Sequence, residues 1–177
     1  MTRMQGVDLS PHFLAVAKYR QLENPQYERI RWLHAMAERL PHRDNSHDLL
    51  MVSFVVHELP DEATRNILKE LYRVAAPGAT IAITDNNPKS KIIQNLPSPI
   101  FTMMKSTEPW SDQYYLLDFK AELEQAGFKD VVVILPILHC LSHNCIIDLR
   151  VSLFRRIRGT GPFSQGNKCS TLFSSLV

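Results

Sequence analysis

The chain has 177 residues, of which 45% are hydrophobic and 21% charged, with a net charge of +2. That length suits one domain with a sizeable core, and the composition is that of an ordinary globular protein. The small net charge gives no argument for nucleic acid or a membrane surface, and no apolar run approaches the roughly 18 residues of a membrane span.

Met4–Asp8 is a short apolar stretch that ends in an acid, and it predicts a strand. Ser10 and Pro11 follow, suited to the cap and first position of a helix over Pro11–Gln21. Ile30–His34 reads as a second strand. Asp48–Val56 is nearly continuous in apolar residues, as in a strand buried on both faces. Asp61–Ala75 is an amphipathic helix with Ile67, Leu68, Leu71 and Tyr72 facing inward. Ala76-Pro77-Gly78 predicts a turn, and Ala79–Asp85 another strand. Asn86–Pro99 is polar and proline-rich, which predicts a loop or lid. Leu117–Ala126 reads as a helix closed by Gly127, followed by a strand over Phe128–Leu135. Strands alternating with helices predict an α/β fold with helices on the faces of a sheet.

Beyond Pro136 the periodicity weakens. Cys145–Phe154 offers one more strand, and Arg158–Val177, rich in Gly, Ser, Thr and Asn, reads as a disordered tail. The charge changes there too. Residues 1–134 hold fifteen Lys and Arg against seventeen Asp and Glu, whereas 135–177 hold five basic side chains against Asp148 alone. The division expected is a domain over 1–135 and a divergent segment over 136–177. Cys140, Cys145 and Cys169 all lie in the second part. Three cysteines confined to one end make a poor disulfide framework, so the expected setting is intracellular and reducing. The cytoplasm is the first choice, or an organelle if a targeting segment was lost with the amino terminus. The run His139-Cys140-Leu141-Ser142-His143-Asn144-Cys145 has zinc-ligand residue types. Its spacings match no common finger and no second pair follows, so no metal site is expected.

Two places carry candidate chemistry. Asp8, at the carboxyl end of a strand, stands where nucleotide-binding folds hold ribose hydroxyls, or else serves only as a helix-cap acid. His57 and Glu58 follow the buried strand. They form a general base pair, or they orient the turn before Asp61.

Four segments taken in order resemble the class I S-adenosylmethionine-dependent methyltransferases, in the branch of ubiquinone- and menaquinone-type enzymes. They are Val7-Asp8-Leu9-Ser10; Ala37-Glu38-Arg39-Leu40-Pro41 with Asp44-Asn45-Ser46-His47-Asp48-Leu49; Phe54-Val55-Val56-His57-Glu58-Leu59-Pro60; and Leu71-Tyr72-Arg73-Val74-Ala75-Ala76-Pro77-Gly78-Ala79. The resemblance covers roughly residues 4–134. It implies a Rossmann-like sheet with helices on both faces, and S-adenosylmethionine as cofactor. It also implies that Asp8 meets the ribose and that Leu9 and Ser10 lie near the adenine. Met36, Ala37 and Glu38 would flank the adenine edge, with Met36 where the family often has an aspartate. Ser53, Phe54 and Val55 would line the floor under the methionine moiety, and His57 and Glu58 the mouth of the acceptor pocket. The acceptor expected is a small organic molecule, not a nucleic acid. Asn86-Asn87-Pro88 is a poor match to the motif of amino-methylating enzymes and follows the wrong strand. Trp110, Tyr114 and Tyr115 either wall an apolar pocket or pack their loop down. Oligomeric state is not legible.

The resemblance also implies a difficulty. A glycine-rich strand, turn and helix should precede the ribose acid by about 20 residues, but only seven residues precede Asp8. That strand lies in mid-sheet, between the strands ending at Asp8 and Val56. The expectation is therefore two unpaired inner strand edges, and weak cofactor binding with little activity in this chain alone. The alternative to an enzyme is a non-catalytic methyltransferase-like fragment or interaction protein.

Overall fold

The computed structural model describes residues 3–86, 95–134, 150–155 and 170–173. Two hydrogen-bonded ladders of strands organise them. Strand β1 (Arg3–Asp8) leads into helix α1 (Pro11–Glu23), a 3-10 turn at Pro25–Tyr27 and strand β2 (Ile30–His34). β1 and β2 run parallel and end together, Asp8 opposite His34. Helix α1 starts as its sequence dictates: Ser10 accepts the Phe13 amide at 3.4 Å and Pro11 takes the first turn.

The second ladder begins with β3 (His47–Ser53). A 3-10 turn at Val56–Glu58 and helix α2 (Asp61–Val74) lead to β4 (Ala75–Asp85), which lies parallel to β3. The expected strand over 48–56 stops early because Phe54 has φ of 51° and breaks the extended run. Its amide still donates to the Thr84 carbonyl at 2.9 Å, so the break stays pinned to β4. The expected turn at 76–78 lies inside β4. Ala75 pairs with His47, the register shifts, and pairing resumes at Leu49 with Thr80. Gly78, at φ of 82°, supplies the local backbone conformation this irregularity requires.

Three helices follow: α3 (Ser98–Thr107), α4 (Ser111–Leu116) and α5 (Phe119–Gln125). The first two were not anticipated, because their sequences lack a clean apolar stripe. Asp118 caps α5 by accepting the Ala121 amide, and Gly127, at φ of 105°, ends it. A side chain at Gly127 would come within 2.8 Å of the Tyr72 ring, so glycine is required there for space as well.

Strands β5 (Lys129–Ile134) and β6 (Arg150–Arg155) complete the ladder in the order β3-β4-β6-β5, with β6 antiparallel to both neighbours. The core gathers Leu50, Val52, Ile67, Leu68, Leu71, Val74, Ile81 and Leu123 with Val7 and Leu40 from the first half. Arg73 of α2 fastens the intervening segment. It donates to the carbonyls of Leu40 and His42 and pairs with Glu70, whose carboxylate accepts the Leu40 amide at 2.7 Å.

The far end of the chain adds one more strand. Ser170–Phe173, read from sequence as part of a disordered tail, forms strand β7. It pairs in parallel with β1, Arg3 opposite Ser170 and Gly6 opposite Phe173, and it lies against β3 as well. β1 therefore has hydrogen-bonded neighbours on both sides, whereas β7 touches β3 without joining its ladder, so of the two bare edges expected the one on β1 is filled. The physical reason is that a buried strand edge recruits whatever extended segment can satisfy it. The cysteines, the His139–Cys145 run and residues 87–94 of the expected lid lie outside the described residues. Among the described residues no cluster of three metal-ligating side chains occurs, and no helix is long and apolar enough to cross a membrane.

Candidate active site

The predicted residues fall at the carboxyl ends of strands, in two groups. The first surrounds Asp8. One carboxylate oxygen accepts the Ser10 amide at 2.7 Å, closing the turn into α1. Asp8 thus closes an Asx turn just ahead of the Ser10 cap, which is compatible with either role weighed from sequence. That bond leaves most of the carboxylate's acceptor capacity uncommitted, since an ionised carboxylate has about four lone-pair sites. The Leu9 carbonyl accepts from His34 Nε2 at 2.8 Å, and Ala35 donates its amide to the Asp8 carbonyl. These bonds hold the ends of β1 and β2 together. Leu9 and Met36 project their side chains outward, 61% and 50% exposed. Large apolar side chains beside an acid at a strand end form a surface suited to a flat, apolar ring with a polar attachment. Ala37 and Glu38 continue that edge, and Glu38 accepts from Asn66 of α2 at 3.5 Å.

The second group lies at the ends of β3 and β4, where Ser53 is opposite Thr84. His57 and Asp85 form a buried pair with Nδ1 to Oδ1 at 2.6 Å. The other Asp85 oxygen accepts the Val56 amide at 2.8 Å, and the Asn86 amide donates to Oδ1 at 2.7 Å. Asp85 is thus satisfied as an acceptor, so His57 donates from Nδ1. Its Nε2 is left to exchange a proton and lies 3.8 Å from a Glu58 oxygen. Burial pushes the imidazole pKa down. The bond to Asp85 and its charge, aided by Glu108 and Glu58, outweigh burial and raise it above the ordinary histidine value. Burial conversely lifts the Glu108 carboxyl above its usual range, against the pull of His57.

Aromatic rings enclose His57. Phe54 stands edge-on at 6.5 Å between centroids, and Tyr114 of α4 does so at 6.3 Å. The Tyr114 hydroxyl donates to the Asn86 carbonyl at 2.6 Å and locks α4 over the pair. Tyr114 therefore packs its helix down, while Trp110 remains exposed. Sequence reasoning singled out His57 and Glu58 but missed Asp85. Its signal was present: an acid ending the apolar run ATIAITD, one strand away from the buried run before His57.

A cavity of about 490 Å3 also borders Asp8, lined by Val7, Phe13, Leu14, Ala17, Gln21 and Trp32 among others. It runs under α1 from Asp8, at the carboxyl end of β1, to Ile30, at the amino end of β2, so Asp8 is part of its lining.

Comparison with known proteins agrees with this architecture. The model of the ubiE/COQ5 methyltransferase family matches residues 1–105. A demethylmenaquinone methyltransferase of Oceanobacillus iheyensis is 30% identical over 87 residues, 49% of this chain and 35% of that protein. The match thus spans about a third of the length of such curated relatives. Among solved structures, a SAM-dependent methyltransferase of Methanosarcina mazei superposes with a TM-score of 0.63 at 15% identity, covering 86% of this chain and 81% of that one. A phosphoethanolamine N-methyltransferase of Haemonchus contortus, solved with S-adenosylhomocysteine, gives 0.61 at 18% identity, covering 87% and 44%. At these identities the likeness is one of fold, which is Rossmann-like.

Proposed function

Starting from a chain that belongs to the ubiE/COQ5 methyltransferase family, we propose that it binds S-adenosylmethionine at the carboxyl ends of its strands and serves methyl transfer to a small organic acceptor. The observation that carries this reading is Asp8. It ends a parallel strand, keeps acceptor capacity beyond its cap bond, and is flanked by exposed Leu9 and Met36. In this reading the Asp8 carboxylate accepts hydrogen bonds from the ribose hydroxyls. Leu9, Ser10, Ala37 and Glu38 border the adenine, and Ser53 and Phe54 form the floor beneath the methionine end. The cofactor brings an activated methyl group, so alignment of the acceptor supplies much of the rate.

The chain's own part in the chemistry falls to His57. Asp85 fixes the imidazole with Nδ1–H pointing inward, which leaves Nε2 to accept the acceptor's proton. Asp85 stabilises the imidazolium that results. Glu58, beside Nε2, steers that proton or holds the acceptor in place. The rings of Phe54 and Tyr114 keep water away from the pair.

Calorimetric titration with S-adenosylmethionine tests the proposal. Asp8→Ala removes a charged acceptor of two hydrogen bonds, worth on the order of 3 kcal/mol, and is expected to weaken binding about a hundredfold. Equal affinity of the two proteins returns Asp8 to capping alone. A second reading, a non-catalytic methyltransferase-like protein, is favoured by one observation. The neighbour of β1 on its inner side is β7, from the carboxyl-terminal region, rather than a strand leading into a glycine-rich turn. A natural chain with no heat of binding supports that reading.

A further inference from the structure

We propose that the surroundings of His57 form a cation pocket, and that the acceptor methylated there is an amine that arrives as an ammonium ion, a substrate class that rests on the methyl-transfer reading. Three carboxyls, Asp85, Glu58 and Glu108, share this place with one imidazole. Asp85 is spent on His57 Nδ1 and on the Val56 and Asn86 amides. Glu58 lies 3.8 Å from Nε2, with its side chain 44% exposed. Glu108 is held between α3 and α4, its amide bonded to the Met104 carbonyl and its carbonyl to the Ser111 amide. Its carboxyl feels the charges of His57, Glu58 and Asp85, and among the described residues that act on it His57 is the only base. Lys105, at the end of α3, is taken up by Asp112.

Acids alone mark no ligand, but His57 points to one. Its side chain is only 8% exposed, and its Nε2 makes no hydrogen bond among the described residues, since 3.8 Å to Glu58 is too far for one. A nitrogen acceptor and a carboxylate acceptor thus stand side by side and lack a donor between them. An ammonium carries three donors, so one N–H reaches Nε2 while another reaches a carboxylate. A hydroxyl has a single donor and serves one of the two. An anionic group has none and is repelled. The rings fit the same ligand. Phe54 and Tyr114 stand beside His57, Tyr115 lies 6.0 Å from Tyr114, and Glu108 acts on Tyr115 as well as on His57. Aromatic walls next to carboxylates suit a cation stripped of water.

The chemistry is consistent with that charge. His57 Nε2 takes one ammonium proton and frees the nitrogen lone pair. The nitrogen bonds to the methyl carbon as the carbon–sulfur bond breaks, and that bonding pair stays on sulfur. The product leaves as an N-methylammonium. The methyl donor is a sulfonium cation, so an ammonium acceptor brings a second positive charge to one place, and the carboxylates offset both.

Calorimetric titration of the full-length chain with three probes of similar size tests the proposal. At neutral pH benzylamine is a cation, benzyl alcohol is neutral and benzoate is an anion. Each is titrated with and without S-adenosylhomocysteine, which has no sulfonium charge, so the probe is the only added cation. Benzylamine is expected to bind about tenfold tighter than benzyl alcohol or better, and benzoate to give no heat. Glu108→Gln is expected to weaken benzylamine about tenfold and leave benzyl alcohol unchanged, while Glu108→Asp, which keeps the charge, retains the preference. Equal binding of amine and alcohol, preference for benzoate, or no binding of any probe overturns the proposal. So does a Glu108→Gln variant that loses amine and alcohol equally, because that is the mark of a structural role. S-adenosylhomocysteine alone is a separate titration. Heat there without amine preference keeps methyl transfer and removes the amine. No heat there, with amine preference intact, overturns the acceptor role and leaves a cation pocket.

Discussion

His57 and His47 are both buried histidines, and their partners give them opposite titration behaviour. His57 gains a carboxylate partner that holds its pKa above 6.5, so its contribution to stability is complete below that value and lost as pH rises through the raised one. In Asp85→Asn the charge disappears while burial remains, and NMR titration is expected to find the His57 pKa lowered. An unchanged value would remove Asp85 from the proposed proton path. His47 has no such partner. Burial and the neighbouring His42, with rings 4.5 Å apart, push it down to about 4, and its Nε2 is buried without a hydrogen bond. The unfolded chain binds that proton near 6.5 and the folded chain only near 4. Stability present above 6.5 is therefore lost as pH falls toward 4. Melting curves across that window are expected to fall more steeply for the natural chain than for His47→Phe, and equal slopes would show that His47 does not report acid sensitivity. What sequence conveyed at this scale was residue type and strand-end position. It marked Asp8 and His57 as candidates, because an acid or histidine after an apolar run is a local signal. It missed Asp85 as the partner of His57, because that pairing joins residues 28 apart in the chain.

At the scale of elements, packing between α1 and the first ladder depends on Gly6 and Trp32. A Cβ at Gly6 would fall within the indole ring, which is held in turn by its Nε1 bond to Gln21 at 2.8 Å. Gly6→Ala is expected to cost about 1–3 kcal/mol, the usual range for overpacking, read by denaturant unfolding. A cost below about 0.5 kcal/mol would mean that the ring moves aside freely. Helices α2 and α5 are joined by Arg65, which donates from Nε to both oxygens of Glu122 at 3.0 Å. Most strands and the two main helices were legible because alternation and apolar stripes are written locally. β7 was not, since four residues amid a polar tail carry no periodicity of their own. Its strand state comes from the edge it meets.

The whole molecule combines family ancestry and a Rossmann-like fold with Asp8, Ser53 and Asp85 at the carboxyl ends of their strands. The order of the four motifs made the fold class legible. The pairing of β1 with a strand from the carboxyl-terminal side was not, because strand neighbours far apart in sequence are decided by geometry and not by pattern. The cavity under α1 reaches Asp8 but lies mainly along residues 13–32, whereas the proposed cofactor contacts gather at 8–10, 34–38 and 53–58, which makes the central claim open to direct measurement. Hydrogen exchange followed by mass spectrometry, with and without S-adenosylhomocysteine, reads both places in one experiment. The prediction is slower exchange at residues 8–10, 34–38 and 53–58, with no change over 13–32. Protection confined to 13–32, or no protection anywhere at saturating ligand, would contradict a cofactor cleft at the carboxyl ends of the strands.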